Sequence, residues 1–338
     1  RLYYGCNGGW FDPAAFELQQ RTRALKRDSN VFAVATILSA LGLQLLLGVI
    51  LGVLEIMPLT SGVLDFIQTP CGALLTQGLY TTVAFSLPFL AAAAIAAPYD
   101  AFGRKRLEIF PPKKVRPQLL LAFVGVGVGF SVVDNLLVDV YYNLLSGIGV
   151  SMDYSSIEIP DGVHGSVAYL LVLSVLPAIF EEFAFRGVVM GALKKHGRTV
   201  AIIGSSALFG LMHGNLVQIP FAFARGCVVA YIDLLCDSIW PSVIVHFLNN
   251  FTAGVVDLVS VGGNDLVTAI VSSLITFAFA AAGAVAFVWL CRKYRRAFAP
   301  FGVEALTRAK SVGAFFSSAG VIIALIVFGG EALVISLL

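Results

Sequence analysis

Residues 166–193 read SVAYLLVLSVLPAIFEEFAFRGVVMGAL, an apolar run broken by Glu181, Glu182 and Arg186. A helix that crosses a bilayer needs about 20 mostly apolar residues, and this run exceeds that. Its charges then need a reason, because an ionisable group at mid-membrane costs about 2.5–3.5 kcal/mol on insertion scales. The rest of the chain is of the same kind. Of its 338 residues, 58% are hydrophobic and 12% charged, against about 25% charged in a typical soluble domain. The solvent for most of this chain is lipid.

Nine apolar runs read as candidate spans: 31–56, 71–97, 118–145, 166–193, 199–213, 216–236, 239–259, 267–291 and 312–338. The fifth is short, and the boundaries from 199 to 260 are the least sharp. Lys and Arg cluster in Arg21–Arg27, Gly103–Arg116, Lys194–Arg198 and Arg292–Arg296. The alternate loops, Glu55–Pro70, Ser146–Gly165 and Val261–Asp265, carry acids and neither Lys nor Arg. A nine-pass reading puts every basic loop on one side, the cytoplasmic side by the positive-inside rule. The expected fold is therefore an all-α polytopic membrane bundle of eight or nine transmembrane helices with a cytoplasmic N-terminus. Residues 299–311 read as an amphipathic connector at the interface. The first thirty residues, mixed polar and aromatic, do not read as a signal peptide.

A net charge of +2 with no basic domain argues against a nucleic-acid partner. Cys6, Cys71, Cys227, Cys236 and Cys291 form no metal-type spacing. They read as small buried hydrophobes.

Spacing separates the three charges of the fourth run. Glu182 and Arg186 stand at i and i+4, share a helix face and can pair. Glu181, about 100° away around the helix, has Phe185 four residues after it and Pro177 four before it. It is the carboxylate without a helical partner, next to a residue that removes a backbone hydrogen bond. Gly187 and Gly191 let another helix approach closely. The fifth run ends with Phe209 and His213, four residues apart, and the seventh carries His246, Asn249 and Asn250. His246 and Asn250 point one way, and Asn249 fits a hydrogen bond between helices. His164 and His196 lie in loops and read as solvated. Asp134, Asn135 and Asp139 in the third run read either as partners for Arg186 or as the lining of a watery cavity.

A carboxylate, two histidines and an amide from three helices make a hydrolytic set. A base takes a proton from water, and hydrogen-bond donors stabilise the oxyanion. No GxSxG pattern supplies a nucleophile, and HExxH is absent. Glu181, His213 and His246 as three zinc ligands are the metal alternative.

These residues form EExxxR (Glu181–Arg186), FxxxH (Phe209–His213) and HxxxN (His246–Asn250), in that order. The combination resembles the CAAX-protease and bacteriocin-processing (Abi) family, also called type II CAAX prenyl endopeptidases, over about Val163 to Gly254. The resemblance implies an all-helical intramembrane protease of the glutamate type, without a cofactor. It implies that Glu181 and His213 activate the attacking water, that His246 and Asn250 form the oxyanion hole, and that Glu182 and Arg186 support them. Phe209 and Asn249 complete the set. Its substrate is expected to be a membrane-associated peptide or protein, prenylated in the eukaryotic and archaeal members, cut by a bacterial-type plasma-membrane enzyme whose site opens toward the cytoplasm. The domain layout expected is a cytoplasmic segment (1–30), helices without a motif (31–162), the catalytic core (163–260) and C-terminal transmembrane helices (261–338). A non-catalytic scaffold or immunity protein, or a proton-coupled transporter, is the alternative function. Counting along a membrane-crossing fifth helix places His213 nearer the far face than Glu181, a mismatch that the boundaries must resolve.

Overall fold

The computed structural model describes residues 3–4, 10–56, 61–97, 107–148, 150, 157–294 and 306–337. Cys6, the start of the 103–116 loop, the end of the 292–296 cluster, residues 299–305 and parts of the 55–70 and 146–165 loops lie outside them. Among the described residues eight helices are long and apolar enough to cross a membrane: α1 (Pro13–Val53), α2 (Pro70–Ala96), α3 (Pro117–Ser146), α4 (Gly162–His196), α6 (Gln218–Cys236), α7 (Trp240–Val261), α8 (Asp265–Lys293) and α9 (Ala319–Ser336). Between α4 and α6 lies the shorter α5 (Arg198–Leu211). A two-residue ladder, Tyr3–Tyr4 with Trp10–Phe11, precedes the bundle. The chain is an integral membrane protein.

The outer surface is the reverse of that of a soluble domain, around a core that is itself mostly apolar. Large apolar side chains such as Leu45, Leu121 and Phe277 point outward at 71%, 74% and 78% exposure, where lipid tails receive them. The interior holds Ser, Thr and charged side chains, including Asp28, Asp134, Glu182, Arg186 and Asp233.

The expected fifth span does not span. Helix α5 has 14 residues, about 21 Å at ~1.5 Å per residue, short of the ~30 Å hydrocarbon core. It starts directly after α4, across Gly197 at φ 138°, a conformation that glycine alone adopts freely. It ends inside the bundle, and non-helical backbone is tolerated at that depth when protein buries it. Glu181 and His213 therefore lie at similar distances along their helices from the Gly197 turn. The expected depth mismatch came from treating α5 as a full crossing. The alternation of sides survives, because α5 still carries the chain away from the α4–α5 turn and α6 brings it back.

One end of the bundle is fixed by ion pairs. Asp237, after α6, meets both Lys113, before α3, and Lys194 at 3.3 Å. Those two lysines hold the Asp237 carboxyl below its usual range, with the Lys113 hydrogen bond the larger cause. Buried Asp28 of α1 accepts from His196 at 2.9 Å and pairs with Lys195 at 3.0 Å. His196 is thus a structural link between α1 and α4, and the expectation of a solvated ring does not hold. The basic clusters gather at this basic end.

Helix α4 packs centrally, against α2, α5 and α7, while α3 and α8 pair closely on one flank and α1 and α9 on the other. In the described part of the 299–311 connector Leu306 and Ser311 are buried and Thr307–Lys310 exposed, and the Arg308–Phe316 helix buries Ala314 and Phe315 beyond it.

Candidate active site

The local structure of α4 follows from its sequence. Pro177 has no N–H for the Leu173 carbonyl four residues before it. Asn250 of α7 supplies the missing donor, its Nδ2 giving a 3.1 Å hydrogen bond to Leu173 O. After Glu182 the helix widens into a π-helical segment, Phe183–Met190, a distortion frequent at functional sites. This segment buries Arg186 at 1% exposure. The approach allowed by Gly191 is made by an extended strand of chain and not by a helix. A Cβ at Gly191 would lie 2.6 Å from Phe110 N and 2.7 Å from Glu108 O, and Phe110 N–H donates to Gly187 O at 2.7 Å.

His246 stands between the two glutamates. Its Nδ1 is 2.8 Å from Glu182 Oε1, and its Nε2 is 3.9 Å from Glu181 Oε2. An ionised carboxylate only accepts, so Nδ1 carries the hydrogen toward Glu182. Glu182 Oε2 lies 3.2 Å from Arg186 Nε, as the i, i+4 spacing predicts. The Arg186 guanidinium sits 4.3 Å over the Phe209 ring. Phe209 also packs edge-on to His213 at 4.9 Å and to His246 at 6.1 Å between ring centroids. His213 Nδ1 is 2.8 Å from Phe209 O. A carbonyl only accepts, so the neutral ring presents its Nε2 lone pair.

Of the eight residues selected from sequence, Glu182, Arg186, Phe209, His213, His246, Asn249 and Asn250 line one cavity of about 290 Å³. Glu181 lies beside it, with 13% of its side chain exposed. No hydrogen bond joins Glu181 to His213 among the described residues. Asn249 donates to Ser131 Oγ of α3 at 3.0 Å, an interhelical tie of the expected kind. Among the described residues no group of three His, Cys, Asp or Glu side chains is placed to hold a metal.

Several residues of the site were not selected from sequence. Arg225 of α6 lines the cavity and is the true partner of Asp134 and Asn135. Its Nε and an Nη hold Asp134 Oδ2 at 3.0 and 2.7 Å, and the same Nη reaches Asn135 Oδ1 at 2.9 Å. Of the two readings weighed for Asp134, Asn135 and Asp139, Asp134 pairs with Arg225 and not with Arg186, while Asn135 and Asp139 line cavities. Buried Asp233 accepts from the backbone N–H of Ser242 at 3.1 Å, fixing the first turn of α7 one turn before His246. Arg225 and Asp233 are ionisable residues inside the 216–236 run, a signal that could have singled them out, but contacts across helices carry no periodic signal for their partners.

Residues 163–252 match the family model described as type II CAAX prenyl endopeptidase Rce1-like. The chain is 29% identical over 152 residues to the membrane-embedded CAAX protease MroQ of Staphylococcus aureus (strain USA300), covering 43% of this chain and 59% of that protein. It is also 29% identical over 105 residues to the protein named "Putative membrane peptidase YdiL" of Bacillus subtilis (strain 168), covering 31% of this chain and 43% of that one. The chain thus spans less than two thirds of either relative. No solved structure matches. The matched segment coincides with the one that carries the three motifs, so the resemblance read from them stands.

Proposed function

We propose that this chain is a membrane-embedded peptidase that hydrolyses a peptide bond of a membrane-associated peptide or protein with an activated water. The observation that carries the proposal is His246 held between Glu181 and Glu182 at the wall of a cavity that also receives His213. Glu181 takes a proton from water as its oxygen adds to the scissile carbonyl. The His213 Nε2 lone pair orients that water. The carbonyl oxygen, now an oxyanion, is met by His246, which donates from Nε2 when its ring is protonated, and by the second Asn250 Nδ2 hydrogen. The proton held by Glu181 passes to the leaving amine as the C–N bond breaks. Glu182 and Arg186 orient His246, in the way an acid orients a catalytic histidine. Prenylated substrates and a place in a bacterial plasma membrane are part of this proposal by resemblance.

The 2.8 Å Glu182–His246 contact favours a second assignment of the base, in which His246, steadied by Glu182, takes the proton and Glu181 binds the substrate. Purified protein is incubated with lipidated and unlipidated membrane-associated peptides, and the cut site is read by mass spectrometry. Glu181→Gln and His213→Ala are each expected to abolish cutting while the protein still accumulates. Continued cutting by both variants defeats the proposal. A Glu182→Gln loss as deep as the Glu181→Gln loss, with a shifted pH profile, selects the second assignment.

A further inference from the structure

The two ends of the site differ. At the basic end, residues 108–112 pass between the last turns of α4 and the start of α7. Phe110 is buried and its N–H holds Gly187 O, while Pro111 O accepts from Ile239 N and Pro112 O from Trp240 Nε1 at 3.2 Å. Lys195 pairs with Glu108 at 3.1 Å. On the other side the cavity walls are Asn135 and Val138, in the later half of α3, and Val217 and Gln218, where α6 begins. These positions are remote from the basic end, since α3 starts there and α6 finishes there.

A second cavity, of about 510 Å³, shares Asn135, Val138, Arg225, Asn249 and Asn250 with the first. It runs between α3, α7 and α8, and its further lining includes Asp139, Thr252, Asp257, Ser272 and Thr276. Asp139 and Asp257 lie in the last third of helices that start at the basic end, and Ser272 in the first third of one that ends there. Ionisable side chains within membrane spans face the bundle interior or a water-filled cavity; here Asp257 accepts from the Tyr169 hydroxyl at 3.0 Å and Thr252 donates to Leu248 O at 2.8 Å, while both also line the groove. Lipid-facing Phe277 stands next to Thr276 in sequence and does not line the groove.

The geometry points to a hydrated groove between α3, α7 and α8 that brings water to the site from the face opposite the basic loops. Its role in hydrolysis rests on the peptidase reading, but its hydration and sidedness do not. The ligand is water itself, which an exterior supply must replace after each turnover when the basic end is strapped shut.

The test places cysteine at Thr276, Ser272 or Ala253, in a background with the five native cysteines replaced by alanine. Lys114→Cys marks the basic side, Gly263→Cys the opposite side and Phe277→Cys the lipid face. A membrane-impermeant maleimide is applied to intact cells and to inverted vesicles. The groove cysteines are expected to label from the side that labels Gly263→Cys, while Phe277→Cys labels from neither. Labelling only from the Lys114→Cys side, or none at groove positions while both markers react, overturns the inference. In a second arm, Thr276→Phe and Ala253→Leu fill the groove. With an active wild type they are expected to lower kcat while KM changes little, and Phe277→Trp to change neither. Unchanged kcat in both removes the supply role. A wild type without turnover refutes the peptidase reading alone, because the labelling arm still reports on the groove.

Discussion

Asn250 and Pro177 form a pair whose energetics can be worked through. Proline leaves Leu173 O without its helical donor, and Asn250 Nδ2 fills the gap at 3.1 Å. Asn250→Leu keeps the branching and heavy-atom count of the side chain and strands that carbonyl inside the bundle. An unsatisfied buried acceptor costs about 1–3 kcal/mol, while interhelical hydrogen bonds in membranes average about 0.6 kcal/mol. A loss of about 1–2 kcal/mol is therefore expected. Pro177→Ala returns an N–H at the right position, four residues after Leu173, and alone should be nearly neutral. In the double variant the backbone donor takes over, so most of the loss is recovered and the coupling energy comes out at about 0.5–1.5 kcal/mol. Reversible unfolding in mixed micelles, followed by intrinsic fluorescence, measures all four corners of the cycle. Peptide cleavage provides a second readout: stability should return in the double variant, but activity should not, since Asn250 also faces the cavity. Additive stabilities, with no coupling, would refute the claim that Asn250 substitutes for the donor that Pro177 lacks.

Gly191→Leu should lower stability by about 1–3 kcal/mol or more, because the atoms within 2.7 Å of its Cβ position belong to the 108–110 backbone and not to a flexible side chain; the shift in unfolding midpoint measures it, and a wild-type midpoint would show that the strap yields. Asp134→Leu should cost toward the lower end of about 3–5 kcal/mol, since Arg225 keeps 28% side-chain exposure and can turn to water. Adding Arg225→Met should restore most of that loss, and a double variant no better than Asp134→Leu would show that the pair is not what matters there.

The helix pattern and the fourth-helix charges were legible because both depend on local periodicity and apolar run length. Glu182 with Arg186, and Phe209 with His213, sit one helical turn apart, and the structure keeps both contacts. What escaped was set by packing. A 14-residue apolar helix looks like a weak span until the bundle shows it stopping halfway. Gly191 reads as a helix-packing residue until an extended segment is found against it. Asp134 was singled out as costly, but its partner is on α6, 91 positions further along, beyond any spacing rule.

The widened turn of α4 has a consequence for register. In the π-helical segment each backbone bond reaches five residues instead of four, which amounts to one extra residue threaded into the helix. Everything after it is rotated by about 100° relative to an unbroken α-helix. Glu182 and Arg186 straddle the start of this segment and meet without saturating each other: Glu182 Oε2 and Arg186 Nε and Nη1 are buried without a hydrogen-bond partner among protein atoms. Removing a single residue between 183 and 190 would straighten the helix. It would turn Glu181 and Glu182 away from His246, or swing Gly191 off the strap. Arg186 and the packing of this buried segment limit its substitutions, and its length is fixed more strictly still: chains that share this site should neither gain nor lose a residue here.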